Sequence, residues 1–356
     1  MGFSPIAGEY TIKPNKSPLI PLAIQGCAVC GFKQLSTVVN KTKLYKNFLY
    51  TTVSSSGLIK HFEKGANYLI KNYLTKNSNY ILDIGSNDGS NLNVFKKKGF
   101  KVLGVEPAKN LCIISAKKGI KTICGYFNQA IAKNILKKFG KPKIICLHNT
   151  FANIDNIKDF IENIKLLCSK ETIISLESFS LYGIIKNNLF ENIYHEHISY
   201  FYVENLIQFF KKNGFNVIYA ENNKIKGGSI KVLISQKKYS NLSAVKKVLN
   251  EEKKLNLKTN RVFNKIEKIN KIKMNNIKKF LKKFNEKKII GYGGSTSTTS
   301  LLFYYKIQDY FDLILDDDKR RNNLYSPNSN IKIQKPNISN ISQSNIIIIL
   351  AWRYKK

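Results

Sequence analysis

Two hydrophobic periods alternate along the first half of the chain. Leu58, Phe62, Ala66, Leu69, Ile70 and Tyr73 recur at helical spacing and predict a helix over 58–74. Short apolar and β-branched runs at 80–84, 101–105, 122–124, 143–147 and 172–176 predict strands. Between them, 92–97, 111–117, 130–139 and 157–167 carry helical patterns. Such alternation predicts an α/β fold with a parallel, doubly wound sheet. After Glu177 the order changes: a polar and aromatic segment, a helix near 203–213, then strands at 216–219 and 229–235. Positions 244–287 are lysine-rich, with apolar residues at helical spacings, and predict one long helical connector. Its apolar face is narrow and lacks Trp, which argues against a membrane-surface helix. A second α/β unit then opens with the strand 288–291, and 311–315 and 346–350 predict further strands. The chain reaches Ala351 and Trp352 soon after the last of these, so this unit is expected to be incomplete. The first 20 residues are polar and broken by Pro5, Pro14 and Pro18, and are expected to be loosely structured.

The first strand runs into Asp83-Ile84-Gly85-Ser86-Asn87-Asp88-Gly89, and the second ends in Glu106-Pro107. Strand, glycine turn, helix, strand and terminal acid make a nucleotide-cofactor βαβ unit. The turn reads D-x-G-x-x-x-G rather than G-x-G-x-x-G. A carboxylate at Asp83 disfavours a pyrophosphate and suits a cationic ligand such as S-adenosylmethionine (SAM). Glu106 can accept hydrogen bonds from both ribose hydroxyls. Gly85, Ser86, Asn87, Asp88 and Gly89 are assigned to the methionine side. Pro107, Tyr126, Phe127 and Asn149 complete the cofactor set, with Tyr126 and Phe127 flanking the adenine. The competing reading is a structural βα turn in another Rossmann-like protein.

The net charge of +36 invites a nucleic-acid reading. Only Arg261, Arg320, Arg321 and Arg353 are arginines, however, and every other basic residue is a lysine spread along the chain. Bidentate phosphate and base contacts favour arginine, so composition drift explains the charge better than a dedicated groove. No nucleic-acid partner is expected, although the charge favours anionic small molecules. No apolar run reaches the ~18 residues of a spanning helix, and the N-terminus lacks a signal pattern. A cytoplasmic protein, off the membrane and monomeric, is expected. Of six cysteines, only Cys27 and Cys30 form a C-x-x-C pair. Cys112, Cys124, Cys146 and Cys168 read as small buried hydrophobes.

Several segments together resemble the sugar C-methyltransferases, SAM-dependent enzymes acting on nucleotide-linked ketodeoxysugars. They are Cys27-Ala28-Val29-Cys30-Gly31-Phe32-Lys33-Gln34-Leu35, Tyr50-Thr51-Thr52-Val53-Ser54 with His61-Phe62, the SAM turn, Tyr194-His195-Glu196-His197-Ile198-Ser199-Tyr200-Phe201, Gly227-Gly228-Ser229 and Gly291-Tyr292-Gly293. The resemblance implies a class I SAM-methyltransferase Rossmann-like sheet ending in an antiparallel hairpin, plus a second C-terminal α/β Rossmann-like domain. It places a zinc-module remnant at 1–56, the methyltransferase domain at 57–238, a connector at 239–287 and a substrate-binding domain at 288–356. The family's zinc module uses two cysteine pairs. Two thiolates alone do not close a tetrahedral site, so zinc on Cys27 and Cys30 is expected to be absent or substoichiometric. Two further departures are Asn153, where relatives often carry His, and Ser297, where they often carry Lys.

Methylating a sugar carbon requires removal of a proton beside a ketone and stabilisation of the enolate. In the extended segment expected at 194–197, His195 points to the opposite side from Tyr194 and Glu196, and alternation alone does not choose a base. The resemblance implies His197 as the base, Tyr194 as its hydrogen-bonding partner, and Glu196 as an orienting or hydroxyl-binding group. Tyr50 either reaches the pocket or packs. O- or N-methylation, and a catalytically impaired SAM-binding protein, remain the alternatives.

Overall fold

The computed structural model describes residues 2–45, 48–55, 57–284, 286–342 and 346–351. Trp352 lies outside them.

The N-terminal segment is built into the fold, contrary to the sequence expectation. β1 (Phe3–Ser4) pairs antiparallel with β2 (Ile20–Pro21). Between them the Ala7 carbonyl accepts from Thr299 Oγ1 at 3.2 Å, and Tyr10 donates its hydroxyl to the Gly294 carbonyl at 2.7 Å. Thr11 and Tyr325 exchange backbone hydrogen bonds. These partners lie almost 300 residues away, so local patterning could not reveal them. β3 (Ile24–Gly26) and β4 (Lys33–Leu35) flank the cysteine turn, and α1 (Lys41–Tyr45) follows.

α2 (Leu58–Tyr73) leads to the central sheet. In order come β5 (Tyr80–Ile84), α3 (Ser90–Lys97), β6 (Lys101–Glu106), α4 (Lys109–Lys117), β7 (Thr122–Cys124), α5 (Gln129–Phe139), β8 (Ile144–His148), α6 (Ile157–Leu167), β9 (Ile173–Phe179) and α7 (Leu181–Asn187). β10 (Ser199–Tyr200), α8 (Val203–Lys212), β11 (Asn216–Asn223) and β12 (Ser229–Ser235) complete the unit. The sheet order is β11-β12-β9-β8-β5-β6-β7, with β12 antiparallel to both neighbours and the other pairs parallel. This is the class I methyltransferase order, with its reversed final strand. β10 pairs instead with β4 and ties the N-terminal segment to the sheet's ligand end.

Successive strand residues point to opposite faces, and both faces are covered. Ile81, Ile144 and Ile173 pack with Phe62, Leu69 and Phe95 on one side. Leu82, Ile145 and Ile174 pack with Ile135, Ile161 and Ile164 on the other. That explains the continuous apolar runs, since a parallel sheet buried on both faces needs no polar alternation. Each such side chain contributes about 1.5–3 kcal/mol of transfer free energy.

The expected single connector helix is two helices, α9 (Ser243–Lys253) and α10 (Arg261–Lys282). The break lets the Glu252 carboxylate accept the Val203 and Glu204 N–H groups at the start of α8. Such capping satisfies otherwise unpaired helix donors. The buried residues of α10, Val262, Ile266, Asn270 and Leu281, form a narrow stripe. Among the described residues, no helix is long and apolar enough to cross a membrane.

The C-terminal sheet contains β13 (Ile289–Tyr292), β14 (Leu313–Leu315), β15 (Lys332–Gln334) and β16 (Ile346–Ile349) in the order β15-β14-β13-β16, all parallel. α11 (Thr296–Tyr305) follows β13. Asn270 of α10 accepts from Asn188 at 3.0 Å and from Tyr305 at 3.1 Å, joining the two units. The scattered cysteines divide. Cys146 and Cys168 are buried, but Cys112 on α4 is half-buried, and Cys124 is exposed because short β7 is an edge strand.

Candidate active site

A cleft of about 1820 Å³ lies between the carboxyl ends of the central strands and the C-terminal sheet. Ligands sit at this end of open parallel sheets. In its methyltransferase half, Asp83 closes β5. Its Oδ2 accepts from Asn91 Nδ2 at 2.8 Å, while its buried Oδ1 has no hydrogen-bond partner. Burial pushes the Asp83 carboxyl up to about 7, with Glu106 adding to the rise. A cationic group arriving at Oδ1 would satisfy the orphaned oxygen and restore the charge, so the site fits the ammonium of SAM.

Glu106 closes β6 and receives the Asn87 N–H at 2.8 Å and the Ala108 N–H at 2.9 Å. A carboxylate has about four acceptor positions, which leaves capacity for ribose hydroxyls. Asn87 sits at φ +50° and Gly85 at φ +79°. A side chain at Gly85 would place Cβ 2.1 Å from Thr150 Oγ1, so glycine is required there. Ser86 lines the cleft, but its Oγ lies against Gly104 in the sheet. Asp88 also lines it, yet its carboxylate receives the Val53 and Ser90 N–H groups and lies 3.5 Å from Lys118. Gly89 departs from expectation: it sits behind the cleft against Ser115 and Ile120, where a Cβ would be crowded.

Pro107, Tyr126, Phe127 and Asn149 line the opposite side. Residues 41–45 and 48–50 cross over them, which the sequence did not predict. Tyr126 donates its hydroxyl to the Lys41 carbonyl, and the Lys41 ammonium pairs with Asp155 at 3.4 Å. Tyr45 accepts from Asn153 Nδ2 at 3.2 Å, and burial raises its phenol far above its ordinary value.

Residues 194–197 form a turn rather than a strand, since the His197 N–H donates to the Tyr194 carbonyl at 2.9 Å. The turn sends Tyr194, Glu196 and His197 into the cleft together. His195 alone points away: it is fully buried, with Nε2 3.3 Å from the Pro21 carbonyl. Strand alternation therefore does not describe these four residues. His197 Nδ1 lies 2.7 Å from the Asn192 carbonyl, and its ring is held between Phe179 at 3.9 Å and Tyr194 at 4.1 Å. A carbonyl only accepts, so Nδ1 carries hydrogen, and Nε2 is the nitrogen left to act as a base. Burial pushes the Glu196 carboxyl up to about 7, opposed by Lys226. Tyr50 reaches the cleft, with its hydroxyl 3.0 Å from Ser55 Oγ and the Lys226 ammonium 4.8 Å from its ring centre.

Under this floor, His61 and His148 converge on Glu177, although they come from different elements. His61 Nε2 bonds both Glu177 oxygens, at 2.7 and 2.8 Å. Burial pushes the His148 imidazole down to about 4, so it is neutral near pH 7. In the C-terminal half, Gly293 (φ +101°) turns tightly against Ala351 before α11. Asp316 receives the Gly294 N–H at 2.6 Å and pairs with Arg321 at 3.0 Å. Arg320 pairs with Asp318, and Ser297 lines the same wall. Cys27 and Cys30 lie outside the cleft on an exposed turn. Backbone N–H groups of that turn and the neighbouring Cys30 thiol hold the Cys27 thiol below its ordinary value. Among the described residues, no three His, Cys, Asp or Glu side chains are grouped to hold a metal.

Two family models match the chain. A methyltransferase domain covers residues 59–220, and a C-methyltransferase C-terminal domain covers 224–356. The two follow one another along the chain and leave residues 1–58 outside both. A methyltransferase model and a C-methyltransferase C-terminal model thus match the chain in succession. A curated C-methyltransferase, NovU of Streptomyces niveus, is 27% identical over 234 residues, 65% of this chain and 56% of that protein. The match thus spans a little over half of the relative's length. Among solved structures, a SAM-dependent methyltransferase from Anabaena variabilis is 15% identical, covering 63% of this chain and all of that one, with a TM-score of 0.41. The plantazolicin methyltransferase BamL, solved with a triazolic desmethylPZN analogue and SAH, is 16% identical, covering 50% of this chain and 84% of BamL, with a TM-score of 0.38.

Proposed function

We propose that this chain catalyses SAM-dependent C-methylation of a nucleotide-linked ketodeoxysugar. The observation that carries the reading is the turn at 194–197, which aims a phenol, a carboxyl and an imidazole into the cleft that also holds Asp83 and Glu106. Asp83 and Glu106 hold the cofactor's ammonium and ribose, with Tyr126 and Phe127 beside its base. SAM supplies an electrophilic methyl group.

The protein's own task is proton chemistry. His197 Nε2 takes the proton from the carbon beside the ketone, while the Asn192 carbonyl fixes the tautomer. The C–H electron pair becomes the enolate double bond, and the carbonyl π pair moves to oxygen. Tyr194 donates to the base or to that oxygen. The proton leaves His197 for solvent. Two of the chain's four arginines, Arg320 and Arg321, line the C-terminal wall with Lys319. In a chain that otherwise uses lysine, arginine there suits a substrate diphosphate.

The test combines SAM titration by calorimetry with turnover of a nucleoside-diphosphate ketodeoxyhexose in D2O. Expected are micromolar SAM binding, a new carbon-bound methyl, and exchange of the hydrogen beside the ketone. His197→Asn should keep SAM binding and lower turnover about 10²–10⁴-fold. A methyl found on oxygen or nitrogen, or SAM binding with neither exchange nor turnover, would overturn the reading.

A further inference from the structure

We propose that Lys226 is a catalytic residue that binds the substrate's ketone oxygen and stabilises the negative charge developing there as His197 removes the neighbouring proton. The inference rests on the function proposed above and assigns one further group within it.

Position comes first. Lys226 lines the cleft, and its ammonium lies 4.8 Å from the centre of the Tyr50 ring. Its charge acts on Glu196, holding down a carboxyl that burial pushes up. It therefore stands between the segment that meets the cofactor turn and the turn carrying His197. The other lining cations with ion pairs sit elsewhere. Lys41 pairs with Asp155 at the adenine end, Lys118 with Asp88 under the cofactor turn, and Arg320 and Arg321 with Asp318 and Asp316 on the C-terminal wall.

Backbone geometry is the second observation. Lys226 has φ +50° and ψ +29° and is not a glycine. A left-handed conformation at a long side chain is costly and persists only where its surroundings impose it. Here they do. Gly228 packs backbone to backbone against Gly183, where a Cβ would meet the Gly228 carbonyl oxygen at 2.7 Å. The Gly228 carbonyl accepts the Ser180 N–H, and the Gly227 carbonyl accepts Asn187 Nδ2 at 2.8 Å. The lysine stem thus starts from a fixed base between β11 and β12 and is directed at the cleft.

Chemistry supplies the need. An enolate forming near Glu196 builds negative charge beside a carboxyl. An ammonium at that oxygen offsets both charges, and preorganised donors at developing oxyanions are large contributors to rate. The ammonium donates a hydrogen bond throughout and transfers no proton. The carbon's proton goes to His197 Nε2, and the π pair goes to the oxygen that Lys226 holds.

The decisive measurement is exchange of the hydrogen beside the ketone in a nucleoside-diphosphate ketodeoxyhexose, followed by NMR in D2O without SAM. Lys226→Met should slow exchange about 10²–10³-fold, the usual effect of losing one oxyanion donor. Lys226→Arg should recover most of that loss. SAM affinity by calorimetry should stay within about twofold of the parent, and thermal melts identify any variant that fails to fold, in which case Lys226→Gln takes the place of Lys226→Met. Exchange at the parent rate in a folded Met or Gln variant overturns the proposal while leaving the proposed function standing. Weakened SAM binding with unchanged exchange also overturns it, by moving Lys226 to the cofactor. If the parent binds SAM but exchanges nothing, the ketosugar reading falls and takes this assignment with it.

Discussion

His61 Nε2 sits 2.7 Å from Glu177 Oε1, joining helix α2 to strand β9 beneath the cleft. The Glu177 side chain is 2% exposed and that of His61 18%. Removing one member of a buried pair leaves an uncompensated charge. His61→Ala should destabilise the fold by about 2–3 kcal/mol, less than a fully buried pair because His61 touches solvent. Urea unfolding at pH 7 measures it, and a loss under about 0.5 kcal/mol, the range of an ordinary surface substitution, would show the pair to be incidental.

Glu177 also sets an acid limit. Burial pushes its carboxyl up, but the His61 hydrogen bond and the charges of His61 and Lys231 outweigh burial and hold it below 4.5. A depressed folded value gives stability that is complete above the unfolded value near 4.5 and is lost as pH falls through the folded one. Stability should therefore fall below pH 4.5, and less steeply in Glu177→Gln. Parallel acid profiles for parent and variant would contradict this.

Asp83 gives a pH dependence of opposite origin. Its carboxyl titrates near 7 in the free protein because burial disfavours the charge. The ammonium of SAM favours the ionised form. Affinity should rise from pH 6 to pH 8, with proton release on binding, detectable by calorimetry in buffers of different ionisation heat. Asp83→Asn should flatten the profile and weaken binding.

Glu106 combines two tasks. Glu106→Ala removes a charged acceptor and frees the Asn87 and Ala108 N–H groups. SAM affinity should fall by about 1.5–3 kcal/mol. Glu106→Gln, which keeps one acceptor oxygen, should lose less. Equal losses in the two variants would mean that charge, not the turn, is what matters.

Gly183→Ala tests the clamp on the 225–228 turn. The added carbon would meet backbone atoms of Gly228 at 2.7–2.9 Å, and neither chain can yield cheaply. Destabilisation of about 1–3 kcal/mol is expected, read as a lower melting temperature.

The central sheet was legible because each buried strand is a continuous apolar run and each helix carries its own period. The cofactor turn was legible because Asp83 and Glu106 lie within one βαβ unit. Around the reacting groups, sequence alone did not suffice. Residues 194–197 look extended, yet one 194→197 hydrogen bond turns three of them inward and sends His195 to β2. Tyr45 and Lys41 enter through a crossing segment whose partners, Asn153 and Asp155, lie more than 100 positions away. Lys226 was one lysine among many, and two following glycines were the sole local sign that its backbone is unusual. Cooperation of His61 and His148 around Glu177 depends on strand register, which spacing does not encode.

The contacts of Ala7 with Thr299 and of Tyr10 with Gly294 bear on how the molecule is made. Residues 7–11 find their partners only after residues 294–325 have been synthesised. Closing a loop of that length is slow relative to the helix-rich packing around it. The central sheet, residues 80–235, can assemble during synthesis, while the C-terminal wall of the cleft waits for residues 289–349. Chemistry that needs both walls of the cleft thereby follows synthesis of the C-terminal sheet.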